Sequence, residues 1–176
     1  MRTRGLIAGA AVLGLAGCAG AGGLADTQTI TLRDASGRTV GSALLAPAAG
    51  GVRVTLNTNG VPAGVHGVHI HQTGQCDPPD FTTAGPHFNP ANRQHGTENP
   101  AGPHAGDLPN ITVDANGRGT MTGVAPGVTL TGSGASSLRK PGGTSLMVHA
   151  SADDYRTDPS GNSGARIACG VIPAAD

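Results

Sequence analysis

The chain has no tryptophan, two phenylalanines and one tyrosine among 176 residues, so its core cannot rest on large aromatic rings. Charged residues are only 12% of the chain, with eleven basic residues against eleven acidic. No basic run is present and no aromatics interleave with the cations, which excludes nucleic acid as a partner. The apolar run over residues 6–15 is too short to cross a bilayer, which takes about 20 residues. What is abundant is glycine (30) and proline (13), together with threonine and valine. That mixture describes short strands broken by frequent turns and packed with small aliphatic side chains, and it disfavours a helix bundle. The length suits one domain with a real core and is too short for two.

Residues 1–17 read as a signal peptide rather than as part of that domain. Arg2 and Arg4 precede the apolar run, which has the length of a signal h-region. The run ends in Leu15-Ala16-Gly17-Cys18, which resembles the lipobox of bacterial lipoproteins, with Cys18 lipidated as the first mature residue. An ordinary secretory signal with an incidental cysteine is the alternative. The expectation is an exported protein anchored through Cys18 to a membrane, facing the periplasm or the cell exterior. Residues 18–26 form its flexible tether and 27–176 its folded domain. Cys18 also accounts for the odd cysteine among three, leaving Cys76 and Cys169 either to pair in an oxidising compartment or to stay as buried thiols. A bridge would close a loop of roughly ninety residues and restrict the unfolded chain by about 4 kcal/mol in the chain-entropy model. Losing Arg2 and Arg4 leaves nine basic residues against eleven acidic, a charge of −2. Positive potential must then be local, near Arg139, Lys140 or Arg166.

Alternating, β-branched stretches predict strands over 28–33, 39–45, 52–58, 65–71, 111–114, 119–123, 145–150 and 166–172. Turn signals separate them, among them Asn59-Gly60 and Asp114-Ala115-Asn116-Gly117. The spacing fits an all-β antiparallel sandwich or barrel. Residues 72–109 lack either periodicity and are crowded with Gly, Pro, Asn and Asp. They greatly exceed the about 12–15 residues that structureless loops reach, so something must organise them. A second polar loop covers 153–165.

Six of the seven histidines, with one aspartate, fall where a metal pair could use them. Alternate residues of a strand share a face, so His69 and His71 in Gly67-Val68-His69-Ile70-His71 leave the backbone about 7 Å apart and can converge on one ion. Alone, such a pair also fits an exposed strand face. His87, His95, His104 and Asp107 lie in the long loop and offer three nitrogens and an oxygen, the closed set that zinc prefers; simple polar decoration is the alternative. A site this rich in imidazole suits copper and zinc rather than calcium or magnesium.

With these residues in place, the chain resembles the Cu/Zn superoxide dismutases. The likeness runs through G-V-H-I-H, A-G-P-H-F-N-P, H-A-G-D-L, M-V-H-A-S-A-D-D and G-N-S-G-A-R-I-A-C-G-V-I, across about 27–172. The resemblance implies a Greek-key β-barrel or sandwich with two long functional loops, an architecture for which this family is itself a stock example. It implies dismutation of superoxide to dioxygen and hydrogen peroxide at a copper centre cycling between Cu(II) and Cu(I), with a zinc partner. By the same likeness His69, His71, His87 and His149 would bind copper, and His87, His95, His104 and Asp107 zinc, with His87 bridging. Asp153 would hold His69 and His95, Arg166 would guide superoxide, and Cys76 would pair with Cys169. His66 has no metal role and reads as a hydrogen-bonded strand residue beside the site. The segment between Cys76 and His87 lacks the insertion many bacterial relatives carry, and dimer-contact aromatics are scarce, which leaves monomer or homodimer open. A copper buffer without turnover is a competing function. It would be favoured by loss of His87, His149 or Arg166, and all three are present. A zinc-stabilised surface module leaves His69, His71 and His149 unexplained.

Overall fold

The computed structural model describes Met1 and residues 27–175. Beyond Met1, the expected signal segment, Cys18 and the tether lie outside the described residues. Eight strands follow in order: β1 (Gln28–Arg33), β2 (Thr39–Ala48), β3 (Gly51–Asn59), β4 (Gly64–His71), β5 (Asp107–Val113), β6 (Arg118–Pro126), β7 (Thr144–His149) and β8 (Arg166–Ile172). One turn of 3-10 helix, Thr82–Ala84, interrupts the long loop. The strands form one antiparallel sheet in the order β5-β4-β7-β8-β1-β2-β3-β6. Its two end strands, β5 and β6, lie side by side, so the sheet curls into a barrel with one seam that has no hydrogen-bonded ladder. The connections β3 to β4 and β6 to β7 join strands that are not neighbours, and they make the topology a Greek key rather than a meander.

Alternation in the sequence becomes inside and outside in the barrel. In β3, Val52, Val54 and Leu56 are fully buried while Arg53, Asn57 and Asn59 face solvent. Strand β2 changes phase between Val40 and Ala43, because the β1 pairing jumps from Gly41 to Thr39 and leaves Val40 in a bulge. Ile30, Leu32, Leu45, Ile70, Leu146 and Ile172 meet the β3 residues in one continuous core. Truncating a residue such as Leu56 to alanine in a core this tight costs about 2–5 kcal/mol.

Strands β4 and β7 differ from the rest in being buried on both faces. Val68, Ile70, Leu146 and Val148 point into the core, while the opposite faces lie beneath the long loops. Phe81, Ala84, Met147 and Cys169, with Cys76 packed against them, form a second apolar cluster there. The Cys76–Cys169 disulfide is present, with its Cα atoms 5.7 Å apart, and ties the long loop to β8. The loop is also laced to β4 by backbone bonds from Gln72 to Pro86 and from Phe88 to Ile70. Contrary to the expectation of a strand starting at 111, β5 begins at Asp107, whose register partner is His69. The polar Asp107 and the proline at 109 mask that stretch of strand in the sequence.

Candidate metal centre

The outer face of β4 and β7 collects the histidines. His69 and His71 project from one face of β4 with ring centroids 6.5 Å apart, as their alternate spacing predicts. His149 ends the neighbouring strand β7. His87 joins from the loop through an isolated antiparallel bridge to His71, with its ring 3.9 Å from that of His69.

Hydrogen bonds then decide which nitrogen of each ring is free. A carbonyl oxygen can only accept, so His71 Nδ1–H donates to the Gly85 carbonyl (2.8 Å) and His149 Nδ1–H to that of Gly164 (3.1 Å). Both rings therefore turn an Nε2 lone pair inward, and these two atoms sit 3.3 Å apart. His69 Nε2–H donates to Asp153 Oδ2 at 2.8 Å, which leaves Nδ1 buried with no partner; His87 Nε2 is equally orphaned. Donor atoms of His69, His71, His87 and His149 lie within 4.8 Å of one another. Converging lone pairs cannot bond to each other, and buried orphans are costly at roughly 1–3 kcal/mol each. A shared cation removes both problems.

A second pocket adjoins the first through His87. Asp107 Oδ1 lies 3.1 Å from His87 Nδ1, 3.1 Å from His95 Nδ1 and 3.3 Å from His104 Nδ1, and His104 Nδ1 is 3.4 Å from His87 Nδ1. Ligands arranged tetrahedrally at the about 2.0–2.1 Å that zinc favours are spaced about 3.3–3.4 Å apart, so these separations fit the edges of such a set. His95 Nδ1 lies against the Asp107 carboxylate, close enough for its charge to hold a proton there but without a well-aligned N–H bond. His69 also lies within 4.8 Å of the His87, His95 and Asp107 donors. The one free nitrogen of His69, Nδ1, also lies with the first set, whereas His104 Nδ1 lies 3.3 Å from Asp107 Oδ1 and 3.4 Å from His87 Nδ1 and belongs to the second set alone.

Protonation follows the same division. Burial, helped by neighbouring histidines, holds His71 down to about 2, His149 to about 3 and His87, whose bond to Asp107 pulls the other way, to about 4. These rings are neutral and ready to bind a metal at neutral pH. Burial also pushes His95 down, but Asp107 and Asp153 outweigh it and raise the ring to about 9. Burial raises the Asp107 and Asp153 carboxyls, and their histidine partners overcome it to leave both well below the usual range.

Asp153 joins the two pockets. Its Oδ2 accepts from His69 and its Oδ1 from His95 Nε2–H at 3.0 Å, so one buried carboxylate aims a ring into each. Gly161 makes room for it: φ is +64°, and a Cβ there would run into Asp153 Oδ1 and come 2.6 Å from His95 Nε2. On the outer side Asp158 Oδ1 accepts the His95 backbone N–H at 2.6 Å and lies 4.0 Å from His104 Nε2. Gly161, Asp158 and the carbonyls of Gly85 and Gly164 carried no signal in the sequence: a carbonyl is the same atom in every residue, and a glycine or aspartate in a polar loop reads as a turn residue. His66 matches its expectation, with Nδ1 2.8 Å from the His149 carbonyl and Nε2 2.9 Å from that of Pro62.

The first set of histidines lines a cavity open to the surface. A cavity of about 380 Å³ is lined by His71, His87, His149, Pro159, Ser160 and Arg166 among others, and of the second set it reaches only His87. Arg166 is the register partner of His149 and donates to the carbonyls of Phe81 (2.6 Å) and Gly85 (2.7 Å). It therefore braces the loop while facing the cavity, and partial burial lowers its pKa without taking its charge.

A Greek-key barrel with two fused, histidine-rich pockets on its flank is the framework of a binuclear metalloprotein. The family model for copper/zinc superoxide dismutase (SODC) matches residues 39–172. The Cu-Zn superoxide dismutase 2 of Aquifex aeolicus is 46% identical over 142 residues, 80% of this chain and 83% of its own. A SOD-like protein from Bacillus subtilis has a solved structure with a TM-score of 0.77 at 39% identity, covering 82% of this chain and 97% of that one. The Cu/Zn superoxide dismutase from Brucella abortus has a TM-score of 0.67 at 31% identity, covering 84% and 99%. This chain belongs to the copper/zinc superoxide dismutase family.

Proposed function

We propose that His69, His71, His87 and His149 hold copper and that His87, His95, His104 and Asp107 hold zinc, His87 serving both. The observation that carries this division is the set of buried inward nitrogens, unpartnered on His69, His87 and His95 and facing one another on His71 and His149, whose Nδ1 atoms are bonded to carbonyls. Family membership makes the protein an oxidoreductase that converts two superoxide ions and two protons to dioxygen and hydrogen peroxide. Copper, when bound, supplies the Cu(II)/Cu(I) couple this needs, while zinc supplies charge and structure without redox change.

The remaining work belongs to the chain. Arg166 puts a cation at the cavity wall and draws a small anion toward His71, His87 and His149. Its two carbonyl bonds keep the guanidinium from swinging away. Asp153 orients His69 and His95, and His87 Nε2 is the buried ring atom at the cavity that would carry a proton for the departing peroxide in the form in which copper does not occupy it. The cavity walls Pro159 and Ser160 belong to the second loop, so that loop forms one side of the approach to His71, His87 and His149.

Metal analysis with a superoxide-decay assay tests the division. His149→Ala should remove copper and activity and leave zinc bound, whereas His104→Ala should weaken zinc more than copper. Equal loss of both metals in both variants would refute it.

We also propose that residues 1–17 are removed, that Cys18 is lipidated, and that the domain works outside the cytoplasm on the tether 18–26. The charged start, the short apolar run and Leu15-Ala16-Gly17-Cys18 support this reading. The Cys76–Cys169 bridge suits an oxidising compartment.

A further inference from the structure

The seam between β5 and β6 is where the barrel lacks a ladder, and backbone groups on β5 must find partners elsewhere. At Asn110 they find them in the second loop. The Asn110 backbone N–H donates to Tyr155 Oη at 2.8 Å. Its side-chain amide does something more specific: Nδ2 donates to the Asp153 carbonyl and Oδ1 accepts the Asp153 N–H, both at 2.9 Å. A carboxamide presents one donor and one acceptor side by side, so it pairs with both backbone groups of one residue as a neighbouring strand would. The Asp153 carboxylate is meanwhile held by His69, His95 and the Tyr155 N–H (2.7 Å). Every polar atom of Asp153 is thus engaged, and the two backbone bonds both come from Asn110.

We propose that Asn110 is a positioning residue for the metal centre, fixing the backbone of Asp153 so that its carboxylate aims His95, and secondarily His69, into the two pockets. This rests on the ligand division given above. The two rings do not depend on it equally. His69 stands on β4, paired on one side to Asp107 and on the other to Met147, and the sheet fixes it without help. His95 stands on the long loop outside every strand, where its backbone N–H is held by Asp158 and its Nε2 by Asp153. Loosening Asp153 therefore frees His95 first, and zinc retention suffers before copper retention. Loss of partners that orient metal ligands typically lowers metal affinity about 10–100-fold.

The test uses purified full chain with zinc, and separately with cobalt(II) as a spectroscopic probe of the zinc pocket. Asn110→Ala should lower zinc affinity at least about tenfold in chelator competition, alter the cobalt d–d bands, and speed exchange of the His95 Nε2 proton. Copper affinity should change by less than about threefold, because the sheet rather than Asp153 fixes His69 and the other copper-set rings do not touch Asp153. Asn110→Asp keeps the acceptor for the Asp153 N–H but cannot donate to the Asp153 carbonyl, so it should fall between, and it serves if the alanine variant does not fold. Tyr155→Phe deletes only the Oη bond to the Asn110 N–H and keeps the backbone N–H that Asp153 accepts, so it should leave zinc affinity and the cobalt bands as in wild type. Unchanged zinc affinity in both Asn110 variants, or an equal loss in Tyr155→Phe, would overturn the proposal and leave Asn110 as a seam residue only. If wild type held no zinc, or His104→Ala kept it undiminished, the ligand division itself would be what failed.

Discussion

Between pH 6.5 and about 8.5, the zinc affinity of the metal-free protein is expected to climb about tenfold per pH unit, because the ion must displace a proton from His95. Burial works against that proton, but Asp107 and Asp153 hold it and raise the ring to about 9, so at neutral pH nearly every metal-free molecule carries it. Over two pH units the gain is about 100-fold, or roughly 2.7 kcal/mol. Copper should behave differently, since His71, His149 and His87 are held at about 2, 3 and 4 and have no proton to lose in this window. The same shifts set the stability of the metal-free fold. His95, raised in the fold, contributes fully below 6.5 and loses that contribution as pH rises through about 9. His71, His87 and His149, lowered in the fold, favour the native state above 6.5 and cost it stability as pH falls toward 4 and below. A maximum near pH 6.5 follows for the metal-free protein. Zinc and copper titrations in chelator buffers across this range, with calorimetry in two buffers of different ionisation enthalpy, would read out the proton directly. A zinc affinity that stays flat with pH, or a copper affinity that rises as steeply, would refute the assignment of that proton to His95.

Arg166 should act on rate through charge: the wild-type rate falls as salt shortens the Debye length toward about 8 Å, Arg166→Ala flattens that dependence, and Arg166→Glu reverses it. Arg166→Lys, which keeps the charge but cannot reproduce both carbonyl bonds, should retain much of the salt response; stopped-flow superoxide decay with metal analysis decides, and a Glu variant with unchanged rate and salt response would leave only the bracing role. Gly161→Ala should lower zinc affinity about 10–100-fold by driving a methyl into Asp153 and His95, and competition titration matching wild type would refute it. Cys18→Ser should shift the protein from the membrane to the soluble fraction, and mass spectrometry showing an unmodified mature N-terminus at another residue would exclude the anchor.

The alternate placing of His69 and His71 was legible because a strand has a period of two, and the same period marked most of the eight strands. The ordered motifs around His87, His104, His149 and Arg166 were legible because chemistry of this kind demands particular side chains. Counting cysteines singled out Cys76 and Cys169, which the structure bridges. Other features depend on contacts between residues distant in the chain. Which nitrogen of each ring faces inward was decided by carbonyls of Gly85 and Gly164 and by Asp153, and a backbone carbonyl is the same atom in every residue. The start of β5 at Asp107 was decided by its pairing with His69, 38 positions earlier in the chain, against a local pattern that hid it. The hold of Asn110 on Asp153 spans 43 residues and closes a seam that exists only once the barrel has formed. Access was likewise tertiary, since the second loop folds Pro159 and Ser160 over one pocket and leaves the cavity open to His71, His87, His149 and Arg166. Residue types and their local period are properties of the chain; the direction of a lone pair and the route by which solvent reaches it are properties of packing.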